Sequence, residues 1–219
     1  MREVTQGVWQ ISTRFPNAIN AYLVEDVLID AGGRRMGDRI LEQLKERSLT
    51  LVALTHVHPD HQGSAHQVCT SRNVPLACPA GEVARMEGRE PMPTSSWYLR
   101  LSNRLFTGPS HPVARPLKEG DEVAGFTVYD TPGHSKGHIV YFRERDGVAI
   151  VGDVIDGMNI FTGLPGLNRP PDVVNEQPAR VDDAIRKLAE LRPRIACFGH
   201  GPVLRDSDRL QKFARGLGG

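Results

Sequence analysis

Three histidines and an aspartate fall within six residues in the segment His56-Val57-His58-Pro59-Asp60-His61. Imidazole nitrogen and carboxylate oxygen are the donors that zinc and the borderline first-row metals accept. The apolar run Leu51-Val52-Ala53-Leu54 precedes them and predicts a short buried strand. If extended geometry persists past Thr55, His56 and His58 project to the same side, because strand side chains alternate with period two. Asp60 and His61 then turn back where a helix can begin.

Three further candidate ligands each follow an apolar strand-like run. Phe126 to Tyr129 leads through Asp130-Thr131-Pro132-Gly133 to His134, Val148 to Val151 through Gly152 to Asp153, and Ile195 to Phe198 through Gly199 to His200. Gly133, Gly152 and Gly199 each precede a ligand, where a tight turn or close backbone approach favours a residue without Cβ. Ligands at strand ends can converge on one edge of a sheet, and five histidines with two aspartates suffice for two metals sharing a carboxylate.

The elements that must position these groups alternate between strand and helix. Strands are expected at Val8 to Ile11, Ala21 to Val24 and Val27 to Ile29, the last two as a hairpin around Glu25-Asp26. Met36, Ile40, Leu41 and Leu44 predict an amphipathic helix, and a second runs from about Gly63 to Ser71. Val74 to Ala77 and Ile139 to Phe142 read as further strands. Val181, Ala184, Ile185, Leu188 and Leu191 predict a helix with Pro178 near its start. Leu210, Phe213 and Leu217 predict a closing helix capped near Asp206. Two stretches lack a sustained period: a Pro/aromatic insertion at about 88–116, with Trp97, Tyr98 and Phe106, and a Gly/Pro-rich loop from about Asp156 to Gln177. No linker separates two cores, so a single domain over residues 1–219 is expected.

Composition bounds the rest. The 219 residues are 39% hydrophobic, and 27 Lys plus Arg balance 26 Asp plus Glu, so the net charge of +1 gives no case for a nucleic-acid partner. No apolar stretch approaches a membrane span. Cys69, Cys78 and Cys197 form no CxxC, which excludes a disulfide framework and a thiolate zinc site. Met1-Arg2-Glu3-Val4 has no signal-peptide core, so a cytoplasmic protein acting on a small molecule is expected. Oligomeric state is not legible.

The set His56, His58, Asp60, His61, His134, Asp153 and His200 resembles the metallo-β-lactamase superfamily in its dinuclear hydrolase branch. The resemblance runs from Leu28-Ile29-Asp30-Ala31-Gly32 to Gly199-His200-Gly201-Pro202. It implies an α/β fold, the four-layer αββα sandwich, with metals at one edge between the sheets. It also implies that His56, His58 and His134 hold one divalent ion, that Asp60, His61 and His200 hold the other, and that Asp153 bridges. Zinc is the expected metal, and the donors also permit iron or manganese.

The chemistry that follows is attack of a metal-bridged hydroxide on a small ester, thioester or lactone. Asp60 is the catalytic residue, taking the proton of the attacking water and returning it to the leaving group. Within the superfamily, class B β-lactamases carry cysteine or serine at the position of Asp153, which argues against antibiotic hydrolysis. Flavodiiron proteins carry an acid at the position of His58. The lactonases compared place tyrosine three residues after the bridging aspartate, where this chain has Asp156. Two alternatives stay open: a compact hydroxyacylglutathione hydrolase, and a persulfide dioxygenase using one iron at the equivalents of His56, His134 and Asp153. Asp30 reads equally as a residue orienting a ligand histidine or as a turn residue. His66 reads as a surface or packing residue and His111 has no ligand spacing; His138, at the start of a strand, reads as packing ahead of support for the site.

Overall fold

The apolar run that leads into the histidines lies inside a sheet in the computed structural model, which describes residues 1–12, 15–92, 103 and 106–218. Those residues divide into two compact units, Met1–Leu117 and Lys118–Gly219.

The first unit is built on a seven-stranded sheet whose spatial order follows the chain. The strands are β1 (Arg2–Thr5), β2 (Val8–Gln10), β3 (Tyr22–Val24), β4 (Val27–Ile29), β5 (Leu51–Ala53), β6 (Leu76–Pro79) and β7 (Arg115–Leu117). The first four pair antiparallel, with Glu25 at a φ of 51° in the expected β3–β4 hairpin. From β4 to β7 the pairing is parallel. Parallel strands need crossovers; α1 (Gly37–Gln43) lies between β4 and β5, and α2 (Pro59–Gln62) with α3 (Ala65–Arg72) between β5 and β6. A 3₁₀ turn at Ala80–Glu82 and α4 (Val83–Met86) follow β6. Leu28, Val52, Leu54 and Leu76 pack with Ile40, Leu44 and Val68 in the core of this unit.

The second unit has a five-stranded sheet in the order β14-β11-β10-β9-β8. These are β8 (Glu122–Val123), β9 (Phe126–Asp130), β10 (Ile139–Arg143), β11 (Val148–Gly152) and β14 (Ile195–Phe198), and only the β11–β14 pair is parallel. The crossover between them contains α5 (Pro178–Glu190), with Pro178 in its first turn as expected. Val181, Ile185 and Leu188 bury one face of α5 with Val151, Ile155 and Phe198. The last helix, α6 (Ser207–Arg215), is capped where expected: Asp206 Oδ1 accepts the Arg209 N–H at 2.9 Å.

The structure adds to or corrects the sequence reading in three places. The helix expected from about Gly63 to Ser71 is α3, and a separate short helix, α2, precedes it, opened by Pro59 and divided from α3 by Gly63-Ser64. The 156–177 loop holds a hairpin, β12 (Asp156–Met158) with β13 (Pro165–Asn168), and a 3₁₀ turn at Asp172–Val174. The end of the 88–116 stretch enters β7, opposite Cys78 at Pro116. Proline is tolerated there because β7 is an edge strand, where one row of backbone groups needs no ladder partner. Trp97 and Tyr98 lie outside the described residues, and Phe106 is exposed.

Cys69, Cys78 and Cys197 are buried and free. Burial pushes the Cys69 thiol up to about 12 and raises that of Cys78, which leaves both as small apolar side chains. No helix among the described residues is long and apolar enough to cross a membrane.

Candidate metal centre

In the first unit the donors gather at the carboxyl end of β5. The His56 and His58 ring centroids are 4.6 Å apart, so the alternation that sets them on one side does persist beyond the strand. Pro59 then opens α2, with His58 extended in the capping position, and the turn brings the His61 ring to 4.1 Å from that of His56. Asp60 sits in the first turn of α2, with Oδ2 4.0 Å from His61 Nε2. His56 and His61 are fully buried, while Asp60 and His58 keep partial exposure.

Asp30 fixes which nitrogen of these rings carries the proton. Its buried carboxylate accepts the Thr55 backbone N–H at 2.8 Å and the Thr55 hydroxyl at 2.9 Å. With its single hydroxyl hydrogen given to Asp30, Thr55 Oγ1 accepts from His56 Nδ1, 3.0 Å away. The second carboxylate oxygen of Asp30 also accepts the Nδ1–H of His61 at 2.9 Å. Both imidazoles are therefore held with the Nε2 lone pair available to a metal. Of the two readings that the sequence left open for Asp30, the orienting one is observed.

A second brace reaches the loop from the 3₁₀ turn that precedes α4. The N–H of Val57, between His56 and His58, donates to Glu82 Oε2 at 2.8 Å. Glu82 is fully buried and lies 3.4 Å from the Arg85 guanidinium. Glu82 carried no signal in the sequence, since its contact depends on the placement of β6 beside β5.

In the second unit the donors stand after β9, β11 and β14, as the sequence predicts. His134 Nε2 lies 3.6 Å, and His200 Nε2 3.2 Å, from the same oxygen, Asp153 Oδ2. His134 is pinned from its other side. Asn175 donates its amide to the Pro170 carbonyl at 2.9 Å, which turns its Oδ1 toward His134 to accept the Nδ1–H at 2.9 Å. Gly133 has a φ of 153°, and a Cβ there would stand 3.0 Å from the Val181 backbone, so α5 leaves room only for glycine. Gly152 is also left-handed, at 52°, whereas Gly199 is not among the positive-φ glycines. Asn175 was missed because it lies within the aperiodic 156–177 stretch.

Both donor sets fit a cation. His134 and His61 each commit Nδ1–H elsewhere and present Nε2 to a carboxylate oxygen, at 3.6 and 4.0 Å. Two lone-pair donors facing each other beyond hydrogen-bond distance repel unless a positive charge lies between them.

Residues 14–200 match the family model of the metallo-beta-lactamase superfamily. The chain belongs to that superfamily. It is 26% identical to the probable metallo-hydrolase YflN of Bacillus subtilis, over 91% of this chain and 85% of that protein. It is 29% identical to the hydroxyacylglutathione hydrolase of Methylobacillus flagellatus, over 58% of this chain and 44% of that protein. The crystal structure of the B3 metallo-beta-lactamase BLEG-1 superposes with a TM-score of 0.75 at 26% identity, covering 97% of this chain and all of that one (100%). The fold is thus the metallo-β-lactamase fold expected from the sequence, and membership supports a metal-dependent hydrolase.

Proposed function

We propose that the chain is a dinuclear metallohydrolase of small esters, thioesters or lactones. His56, His58 and His134 hold one divalent ion, Asp60, His61 and His200 the other, and Asp153 serves both. The observation that carries this is the facing of Nε2 and carboxylate oxygen at His134–Asp153, repeated at His61–Asp60, with Nδ1–H committed in each case. Mixed nitrogen and oxygen donors suit zinc, and they accept iron or manganese.

Divalent ions at such a site supply a nucleophile from water at neutral pH and polarise the carbonyl under attack. The protein supplies placement and proton transfer. Asp30 and Asn175 hold the imidazoles so that no reorganisation is needed when the ions bind. Asp60, partly exposed at the start of α2, holds the proton released by the attacking water on its carboxylate and delivers it to the departing oxygen or sulfur. The three free, buried cysteines accord with a reducing compartment, and the cytoplasm is our assignment.

The match to a hydroxyacylglutathione hydrolase favours one second reading, a compact thioesterase of that kind. Elemental mass spectrometry on untagged protein purified without chelator tests the centre. A panel of an ester, a lactone, S-lactoylglutathione and a chromogenic β-lactam tests the bond. Two zinc ions per chain with ester, thioester or lactone turnover is the expected result. One iron per chain with oxygen uptake on a persulfide would replace it with the dioxygenase, and turnover of the β-lactam alone would overturn the substrate class.

A further inference from the structure

His138 has no place in the ligand set, yet its ring is fully buried between the loop that carries His134 and the backbone that carries Asp153. Its Nε2 lies 3.1 Å from the Asp153 backbone nitrogen and its Nδ1 2.9 Å from Thr131 Oγ1. A backbone N–H can only donate, so Nε2 accepts and Nδ1 carries the hydrogen. Thr131 agrees with that assignment: its hydroxyl can point to the His138 carbonyl, 3.4 Å away, which leaves Oγ1 to accept. The Thr131 N–H donates to the same carbonyl at 2.8 Å and closes the turn that contains His134.

Asp153 needs such a partner. The β11–β14 register shifts between Ile150 and Gly152, and Gly152 is left-handed, so regular sheet pairing ends before Asp153. The Asp153 N–H is bound instead by His138, and the side chain it orients is the one whose Oδ2 faces both His134 and His200.

We propose that His138 is a positioning residue of the metal centre. Held as the neutral Nδ1–H tautomer, it ties Asp153 to the His134 turn and so sets the affinity for the ions. The inference rests on the metal centre proposed above, but not on the identity of the substrate.

Three variants separate its two hydrogen bonds. His138→Gln keeps an acceptor near the position of Nε2, His138→Asn keeps a donor near Nδ1 without reaching the Asp153 N–H, and His138→Leu removes both. Zinc-loaded proteins are challenged with a chromophoric chelator, and each variant is melted in parallel. The expected result is zinc affinity close to the parent's for Gln, and about 10- to 100-fold weaker for Asn and Leu. An Asn variant that folds and keeps the parent's affinity overturns the proposal, because a purely structural role would lower the melting temperature and leave affinity alone. Should the Asn and Leu variants not fold, nitrogen NMR of the parent labelled in histidine decides. The Nδ1–H tautomer at His138 with a slowly exchanging Asp153 amide supports the latch, and an Nε2–H tautomer overturns it. A folded parent that holds no zinc, iron or manganese overturns the metal centre itself, whatever the tautomer.

Discussion

Asp30 Oδ2 accepts the Nδ1–H of His61 across 2.9 Å, although 31 residues separate them in the chain. They meet because β4 and β5 are parallel neighbours, with Ile29 opposite Ala53, so both strands deliver the residues after their carboxyl ends to one edge. Asp30 pays for that position with a φ of 61°, which aspartate and asparagine tolerate better than most residues. Asp30→Asn is therefore the informative change, since it keeps the backbone preference and replaces one oxygen with a donor. An amide nitrogen facing His61 Nδ1 would force its proton to Nε2 and remove the metal-binding lone pair. Zinc affinity is expected to fall by about 10- to 100-fold. Chelator competition measures it, and an unchanged constant would show that Asp30 does not orient His61.

The Glu82–Arg85 pair makes a different prediction, because it concerns stability. Arg85 is almost fully buried, and its removal leaves the Glu82 carboxylate in the interior with a diminished counter-charge. Arg85→Met is expected to cost about 3–5 kcal/mol. Adding Glu82→Gln should recover much of that loss, since a neutral amide oxygen still accepts the Val57 N–H without needing a cation. Urea unfolding of the single and double variants tests this. A double variant no more stable than Arg85→Met would mean that charge burial is not what the pair offsets.

What the sequence made legible was local. The candidate ligands after β5, β9, β11 and β14 could be read because each follows an apolar run, and the Asp206 cap because its hydrogen bond spans three residues. Glu82 and Asn175 could not be read, since each meets its partner only after distant elements dock: Glu82 reaches Val57 across 25 residues, and Asn175 reaches His134 across 41. For Asp30 and His138 the sequence offered a role in the site beside a structural one without deciding between them, because a carboxylate or imidazole next to a strand end looks the same whether it packs or orients. Edge strands such as β7, with Pro116 inside it, lose the alternation that marks a strand whose face is buried.

His111 gives the pH prediction. Burial, and then the facing His66, hold its imidazole below the usual histidine value of 6.5. The two Nδ1 atoms are 3.2 Å apart, a contact that requires one ring to be neutral. Since the folded state disfavours the proton, the unfolded chain takes it up first as pH falls. The stabilisation is thus complete above 6.5 and is lost as pH drops from there through the lowered folded value. Relative to the parent, His111→Gln should lose less thermal stability on acidification from about pH 7 to pH 5. Parallel losses in the two proteins would show that the pair does not contribute.

Gly133 separates backbone strain from close approach. Its φ of 153° and that of Gly163, 73°, are both unfavourable for alanine, but only Gly133 faces fixed backbone. A Cβ at Gly163 would stand 3.7 Å from the flexible end of Met158, an ordinary contact, whereas at Gly133 it would meet Val181 N and Cα at 3.0 Å. Val181 cannot yield without moving α5, whose apolar face fills the core of that unit. The turn cannot swing away freely either, because Gly133 and His134 carbonyls accept the Gln177 and Glu176 N–H groups at 2.9 and 3.0 Å. Gly163→Ala should cost about 1–3 kcal/mol from strain alone. Gly133→Ala should cost more, and it should also weaken zinc retention by moving His134 off Asn175. Urea unfolding and chelator challenge of both variants provide the comparison; equal costs with unchanged zinc retention would remove the close approach to α5 as the reason for glycine.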